Sequence, residues 1–264
     1  MKHTFTITTI ITLTLLAVLS GCKKDYPSNK HSVGTVKDIC GNTYNYVKIG
    51  EQYWTAENMR CNKYDTQSEM AGATISTEDG SAPYYKDASS KSNWESTEYA
   101  ISLTNEQIST LGYLYNWAAA VGVETGDKQT SGFSSKRQGI CPNGWHVPNI
   151  AEWSILLTYV EKNKGAGTAG THLKSASGWY NKDSNYKAGL DTYGFTALPS
   201  GYAEDSKVSL GEGFVGRDAF FWTSTPDNAY NALSLYLFYA DENIHTYSGD
   251  NNKSIGFSVR CVKN

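Results

Sequence analysis

The stretch CPNGWHVPNIAEWSILLTYVEKNKG, residues 141–165, is the part of the sequence that decides the fold class. It opens as a turn and a short extended segment and then changes to helical spacing. The apolar positions of this helix are Trp153, Leu156, Leu157 and Val160. Asn149 can cap the helix because Glu152 follows three residues later, as in a capping box, and Gly165 is expected to end it. The stretch therefore predicts an amphipathic helix in the middle of the chain.

A second main helix is predicted ahead of this stretch, from Asn105 to Val121. Gly122 is expected to end it, since glycine often follows the last helical residue. Its apolar residues recur at the i, i+3 and i+4 positions of one face, namely Ile108, Leu111, Leu114, Tyr115 and Ala118.

Strands are predicted before the helices. Residues 43–49 alternate between apolar and polar side chains, and residues 52–56 can pair back across the turn at Gly50 and Glu51. Residues 62–103 are polar and weakly periodic, which favours a long loop region with short strands.

Further strands are predicted after the helices, at residues 220–223, 233–238 and 254–261. The alternation in the last of these places Cys261 on the apolar face and Arg260 on the opposite one. An early hairpin, two main helices and late strands together predict a loop-rich α+β fold with antiparallel sheets.

The first 21 residues have the pattern of a secretory signal: Lys2 precedes an apolar stretch too short to span a bilayer. The stretch ends in Leu19-Ser20-Gly21-Cys22, which resembles the lipobox of bacterial lipoproteins. We therefore predict a signal peptide over residues 1–21, lipidation of Cys22, a lipidated flexible tether over residues 22–34 and a domain over residues 35–264.

The predicted location is the outer membrane, lipid-anchored at the cell surface, with its periplasmic face as the alternative. No aspartate follows Cys22 to resemble an inner-membrane retention signal. Without residues 1–21 the chain has 22 basic and 26 acidic side chains, a balance of −4 with no basic tract. This balance argues against nucleic acid as a partner, whereas the membrane is a predicted partner through the lipid. The oligomeric state is left open.

Four cysteines follow the lipobox: Cys40, Cys61, Cys141 and Cys261. An even number in an oxidising compartment predicts two disulfides, which allow three pairings. We choose Cys40–Cys61, around the early hairpin, and Cys141–Cys261, between the middle of the chain and its last strand. The sequence has no C-x-x-C pair and no histidine at zinc-ligand spacing, so no metal site is predicted for these thiols.

The sequence predicts no catalytic residue and no cofactor. Residues 165–170 satisfy G-x-G-x-x-G but follow a helix rather than a strand, which argues against a dinucleotide site. His146 is interpreted as a hydrogen-bonded framework residue, and Glu152 as a helix-start residue rather than a general base.

Five separated motifs point to a family. They are GNTY with VKIGEQYWTAENM (residues 41–59), GYLYNW (112–117), CPNGWHVP with Glu152 and Trp153 (141–153), YGFTALPSGY (193–202), and the closing pair FWTST (221–225) and GFSVRCV (256–262). In this order they resemble the Fibrobacter succinogenes major paralogous domain over roughly residues 35–264. Cys40 and Cys61 are outside the family pattern, so their disulfide is interpreted as a local addition.

The resemblance implies a C-type-lectin-like fold, related to sulfatase-modifying-factor domains, on secreted or surface-anchored proteins. It implies no settled activity. Formylglycine-generating relatives use a reactive cysteine pair that holds copper, whereas the only late cysteine here is Cys261, assigned to a disulfide. Calcium is kept only as an alternative, with oxygen ligands from residues 241–243 and 250–252, because the E-P-N, Q-P-D and W-N-D motifs of calcium-dependent lectins are absent.

Residues 227–252 are the segment most suggestive of function. They are dense in Tyr, Asn, Asp and Ser, which can stack on sugar or peptide groups and adapt their hydrogen bonds, although solvent-facing strands and turns give a similar composition. The ligand-binding candidates are Tyr230, Asn231, Tyr236, Tyr239, Asp241, Asn243, Tyr247 and Asn251. The segment also resembles the variable region of ligand-binding proteins diversified by retroelements.

The leading hypothesis is a surface-anchored, non-catalytic binding module for a glycan or another surface ligand. The alternatives are a structural envelope protein, a retroelement-diversified ligand-binding protein and a modifying-factor-like enzyme.

Overall fold

The computed structural model describes residues 31–66, 68, 85–87, 103–124, 130–133, 135–203, 214–248 and 251–264. The predicted signal peptide, Cys22 and most of the tether lie outside the described residues, as do Asp250 and the side chain of Tyr247. Within the described part of the chain, no helix combines the length and the apolar character needed to cross a membrane.

The described elements are short strands and mostly short helices. The strands are β1 Gly34–Lys37, β2 Thr43–Ile49, β3 Gln52–Thr55, β4 Tyr85–Asp87, β5 Tyr113–Tyr115, β6 Trp145–His146, β7 Asp218–Pro226, β8 Ala232–Phe238, β9 His245–Tyr247 and β10 Val262–Lys263. The helices are α1 Asn105–Ser109, α2 Trp117–Val121, α3 Ile150–Lys164 and α4 Ala169–Leu173. Helices combined with antiparallel sheets confirm the α+β class.

The strands form a five-stranded sheet in the order β1-β2-β3-β10-β6, a three-stranded sheet β7-β8-β9 and a pair β4-β5. Their pairings are antiparallel. The predicted hairpin is confirmed, since Val47 lies opposite Trp54 and Lys48 opposite Tyr53. The last strand, β10, lies inside the larger sheet between β3 and β6 rather than at its edge.

Helix α3 confirms the prediction from residues 141–165. The Asn149 side chain accepts from the Glu152 N–H at 3.0 Å, and the Glu152 carboxylate accepts from the Asn149 N–H at 2.9 Å. This reciprocal pair satisfies two backbone donors that the start of a helix leaves without partners. Trp153, on the buried face of α3, packs between the two sheets, with its ring centroid 4.7 Å from that of Trp54 and 5.8 Å from that of Phe221.

The prediction of one helix from Asn105 to Val121 is wrong. The segment forms α1, then strand β5, then α2. Gly112 interrupts it with φ of +79°, and a Cβ there would lie 2.6 Å from that of Asn58. The backbone of β5 bonds outside the segment, because the Tyr115 N–H donates to the Phe257 carbonyl at 2.8 Å. Tertiary pairing therefore overrides the local helical pattern.

The segment predicted as the last strand, residues 254–261, forms only isolated bridges among the described residues, and the regular strand β10 begins after it, at Val262. Both faces are buried: Val259 is inaccessible and Arg260 is 1% exposed. The Arg260 guanidinium donates to the Asn58 side chain at 2.6 Å and to the carbonyl oxygens of Thr55, Phe195 and Thr196. This buried arginine ties the early hairpin to the loop at residues 195–196.

Both predicted disulfides are confirmed. Cys40 is bonded to Cys61, and Cys141 to Cys261. Of the four, only Cys40 is exposed, while the other three are 0–1% exposed. Among the described residues, one cluster of potential metal ligands occurs, Asp38 with Cys40 and Cys61, and both of its sulfurs are in the disulfide.

Candidate ligand-binding cleft

The structure divides the predicted ligand-binding residues between the two ends of strand β8. Tyr230 and Asn231 lie in the turn before β8, and Asn251 pairs with its first residue, since the Ala232 N–H donates to the Asn251 carbonyl. Tyr236 lies near the other end, followed by Tyr239, Asp241 and Asn243. A strand of this length separates the two groups by about 20 Å, so they do not form one site.

The group at the far end of β8 is largely engaged within the fold. The Tyr239 hydroxyl donates to Asp183 at 2.6 Å, and that side chain is 8% exposed. Asp241 accepts from the Asn243 N–H at 2.8 Å through one carboxylate oxygen, and its other oxygen lies 2.8 Å from the His245 ring. These contacts order the turn at residues 241–243, and Lys174 donates a hydrogen bond to the Asp241 carbonyl of the same turn.

Lys174 is fully buried, and its ammonium donates to three backbone carbonyls, those of Lys187, Phe238 and Asp241. Burial lowers the pKa of Lys174 to about 8, although Asp241 and Glu242 partly oppose that shift. Sequence analysis did not identify this lysine, because nothing in its immediate neighbours marks it as buried.

Tyr236 is partly buried in an aromatic row on β7 and β8. Its ring stacks on that of Phe220 with 4.6 Å between centroids, and its hydroxyl donates to Asp218 at 2.9 Å. Burial raises the pKa of the Asp218 carboxyl to about 7, against the lowering effects of Tyr236 and Arg217.

Near the start of β8, on the side of Tyr230 and Asn231, the structure forms a cleft of about 440 Å³. Its walls come from three separate parts of the chain: residues 132–133 with 135–136, the start of α3 with β6, and the end of β7. Side chains of different chemistry face it, including the aromatic ring of Phe133, the hydroxyls of Ser135, Ser224 and Thr225, and the ammonium of Lys136.

A hydrogen-bonded chain fixes the floor of the cleft. His146 is 1% exposed, and its Nε2 donates to Glu152 Oε1 at 2.7 Å while Nδ1 lies 2.6 Å from the Asn264 side-chain oxygen. Lys136 Nζ is 4.0 Å from the same Glu152 oxygen. Burial raises the pKa of Glu152, but the bonds from His146 and from the Asn149 N–H outweigh it and leave that pKa lowered. His146 and Glu152 thus occupy the framework positions predicted for them.

Hydrogen bonds and stacked side chains position the cleft walls. Thr225 Oγ1 accepts from the Ile150 N–H at 3.0 Å, which joins β7 to the first turn of α3. The Phe133 ring stacks on that of Trp117 with 5.9 Å between centroids. Lys253 Nζ lies 4.4 Å from the Trp117 ring centroid. Lys253 also donates to the Asn228 carbonyl at 2.9 Å, in the turn that carries Tyr230. This turn begins two residues after Thr225, so it lies next to the end of β7 that lines the cleft, and its Tyr230 is 65% exposed.

The cleft can bind a ligand that combines a flat apolar face with hydroxyl or carbonyl groups. The Phe133 ring supplies apolar surface next to Trp117, on which it stacks, and to the Arg137 guanidinium, whose central carbon lies 4.5 Å from the ring centroid. The hydroxyls can donate and accept, and Lys136 supplies a charged donor. Sequence analysis missed the cleft because its residues belong to three distant segments. The available signal was the spacing of His146, Asn149 and Glu152, which places them at one helix start.

A family model described as Fibrobacter succinogenes major domain matches residues 47–263. The match covers most of the chain, including all three segments that form the cleft. Neither the curated proteins nor the solved structures with which the sequence was compared give a match.

Proposed function

The chain belongs to the Fibrobacter succinogenes major domain family, and from that premise we propose that it is a lipid-anchored envelope protein that binds a surface ligand in its cleft, without catalysis. The ligand is a glycan or another molecule displayed on a cell surface. The proposal extends to a C-type-lectin-like arrangement of the domain.

The observation that carries this proposal is the cleft itself. Its volume of about 440 Å³ falls within the range of 300–1,000 Å³ that is typical of small-ligand sites. An aromatic ring beside several hydroxyls suits a sugar, whose two faces differ in polarity. Tyr230 and Asn231 lie in the adjoining turn and would extend the contact area for a larger ligand.

The interactions of the polar groups support binding rather than catalysis. A general base needs a free acceptor within reach of a substrate proton. Here Glu152 already accepts from His146 and from the start of α3, and His146 is held at both ring nitrogens. The four cysteines of the domain are paired, which argues against thiol chemistry of the modifying-factor type.

The location proposed is the outer membrane, with the domain displayed at the cell surface by lipid on Cys22. The supporting observations are the signal-like residues 1–21 and the lipobox-like run that ends at Cys22. Two or three acyl chains on one cysteine give stable anchoring without a membrane-spanning helix.

A glycan and protein array probed with the mature chain carrying Cys22→Ser tests the binding role. Ala151 is exposed at the mouth of the cleft, so Ala151→Gln would fill part of it without disturbing the core. Thr158→Gln, at an exposed position farther along α3, introduces the same side chain away from the cleft and is the matched control.

We expect Ala151→Gln and Lys136→Ala to lower binding at least tenfold, while Thr158→Gln binds like the unmodified chain. Ligand binding that none of the cleft variants changes would reject the site. If binding instead falls in the variant that combines Tyr236→Ala, Tyr239→Ala and Asn243→Ala, the site lies at the C-terminal end of β8, away from the cleft.

A further inference from the structure

One face of the five-stranded sheet carries two tyrosines and two lysines, Tyr46, Lys48, Tyr53 and Lys263, here called the tyrosine–lysine face. Residues directly opposite on neighbouring strands point to the same side of a sheet. Lys48 lies opposite Tyr53, while Val47 and Val262 both lie opposite Trp54 on the buried side. Lys263 therefore points to the same side as Lys48 and Tyr53.

The four side chains of this face are in mutual contact. Lys263 Nζ lies 5.7 Å from the Tyr46 ring centroid and 5.5 Å from that of Tyr53, and Lys48 Nζ lies 5.7 Å from Tyr53. The two tyrosine rings meet edge to face at 6.0 Å. The tyrosines are half-buried and both lysines are exposed, so the face combines apolar ring surface with positive charge.

The charge of the face is only partly neutralised. Lys48 pairs with Glu51 at 3.2 Å, an exposed ion pair. Within the described residues, no carboxylate lies within 4.0 Å of Lys263 Nζ. Tyrosine rings with adjacent lysines are the side chains that favour the boundary between water and lipid headgroups.

The tether enters the fold on this same face. Gly34, the first residue of β1, lies opposite Tyr46, and a Cβ on Gly34 would be 2.4 Å from the Tyr46 hydroxyl. The tyrosine ring thus covers the point where the tether ends. Gly34 comes twelve positions after Cys22, and twelve residues span about 43 Å at most when fully extended.

We infer that the tyrosine–lysine face docks on the bilayer surface to which the chain is anchored, with the lysines at anionic headgroups and the tyrosine rings at the headgroup boundary. The inference rests on the lipid anchor of the proposed function. The anchor confines this face to within the reach of the tether, so a weak contact with lipid suffices at the resulting effective concentration.

This docking would set the orientation of the cleft. Trp145 lies opposite Lys263, and its ring is 5.2 Å from that of Tyr46, whereas the next residue, His146, lies opposite Val262 on the other side of the sheet. His146 belongs to the floor of the cleft, and α3 packs against that same side. In a domain resting on its tyrosine–lysine face, the His146 and α3 part of the cleft therefore lies on the side of the sheet away from the bilayer.

Hydroxyl-radical footprinting read by mass spectrometry tests the inference. The lipidated mature chain is reconstituted in vesicles of phosphatidylcholine with 30% phosphatidylglycerol and compared with the Cys22→Ser chain in buffer. We expect oxidation of Tyr46 and Tyr53 to fall at least threefold on vesicles. Tyr230 is the internal control, because it lies beside the cleft and should react equally in both samples.

Charge-reversal variants separate this face from general attraction. Lys48→Glu with Lys263→Glu should restore the oxidation of both tyrosines on vesicles. Lys162→Glu with Lys164→Glu changes the same number of charges at exposed positions of α3 and should leave the protection intact. A circular dichroism spectrum unchanged by either pair confirms that the variants fold.

The outcomes distinguish the inference from the proposed anchor. If the peptide carrying Cys22 has no lipid mass, the anchor itself is rejected, and binding of the Cys22→Ser chain to the same vesicles then decides the face alone. If the chain is lipidated and floats with vesicles while Tyr46 and Tyr53 react as in buffer, the anchor stands and the inference is wrong. Protection in isolated envelopes but not on pure lipid would assign the face to a protein partner and also overturn it.

Discussion

Removing the two disulfides one at a time should have unequal effects, because they close loops of very different length. Cys141 and Cys261 are 120 positions apart, whereas Cys40 and Cys61 are 21 apart. In the chain-entropy treatment a crosslink stabilises by about 298 K × (2.1 + 1.5R ln n) cal/mol/K. This gives about 4.9 kcal/mol for the longer loop and about 3.3 kcal/mol for the shorter one.

The comparison uses Cys141→Ala with Cys261→Ala against Cys40→Ala with Cys61→Ala. The expected difference in the free energy of unfolding is about 1.5 kcal/mol, roughly a factor of ten in the folding equilibrium. Burial adds in the same direction, since Cys141 and Cys261 are both buried while Cys40 is exposed. Urea unfolding followed by tryptophan fluorescence measures both variants on one scale.

The two loops do not overlap in sequence, so the effects should add in the fourfold alanine variant to about 8 kcal/mol. That is a large part of the stability of an ordinary domain, and the fourfold variant is expected to be largely unfolded at 25 °C. Equal losses for the two pairs, or a larger loss for Cys40 and Cys61, would refute the loop-length reasoning.

Three further changes test groups that the structure buries. Arg260→Met removes the donor to the Asn58 side chain and to three carbonyls, so it should cost about 3–5 kcal/mol in urea unfolding, and Arg260→Lys should recover only part of that loss. Asp218→Asn should abolish a fall in stability between about pH 4 and pH 7. The pKa of Asp218 is about 7 in the folded chain, above the ordinary aspartate value of 3.8, so the folded chain binds more protons than the unfolded chain in that window. The resulting loss of stability is at most about 4 kcal/mol. Equal slopes of stability against pH for variant and parent would contradict this. Glu152→Gln should destabilise more at pH 7 than at pH 3, because the pKa of Glu152 is lowered from 4.5 in the folded chain. A lowered pKa adds stability above pH 4.5 that is lost progressively as the pH falls through the folded pKa. Melting temperatures at both pH values measure the difference.

Local signals in the sequence predicted those parts of the fold that depend on local interactions. The start of α3 was predictable because Asn149 and Glu152, three residues apart, bond to each other's backbone. The early hairpin was predictable because its two strands are joined by a two-residue turn. The family motifs predicted the family, which the family model over residues 47–263 confirms.

Parts that depend on distant contacts were not predictable. The spacing of Leu111, Leu114 and Tyr115 fits a helix, but the backbone at Tyr115 pairs with Phe257 instead. Arg260 alternates like a surface residue, and only the carbonyls that surround it make its burial favourable. The cleft could not be predicted for the same reason, since Lys136, His146 and Thr225 meet only in the folded chain.

The position of β10 has a consequence for how the protein matures. Arg260, just before this strand, bonds to Thr55 from 205 positions away, and the strand itself fills the gap between β3 and β6. Closing the sheet therefore waits for residues near position 262. On the proposed export route, with the N-terminus first, the five-stranded sheet cannot be complete until residues near position 262 have crossed the membrane. The five-stranded sheet would then be completed only on the far side of the membrane.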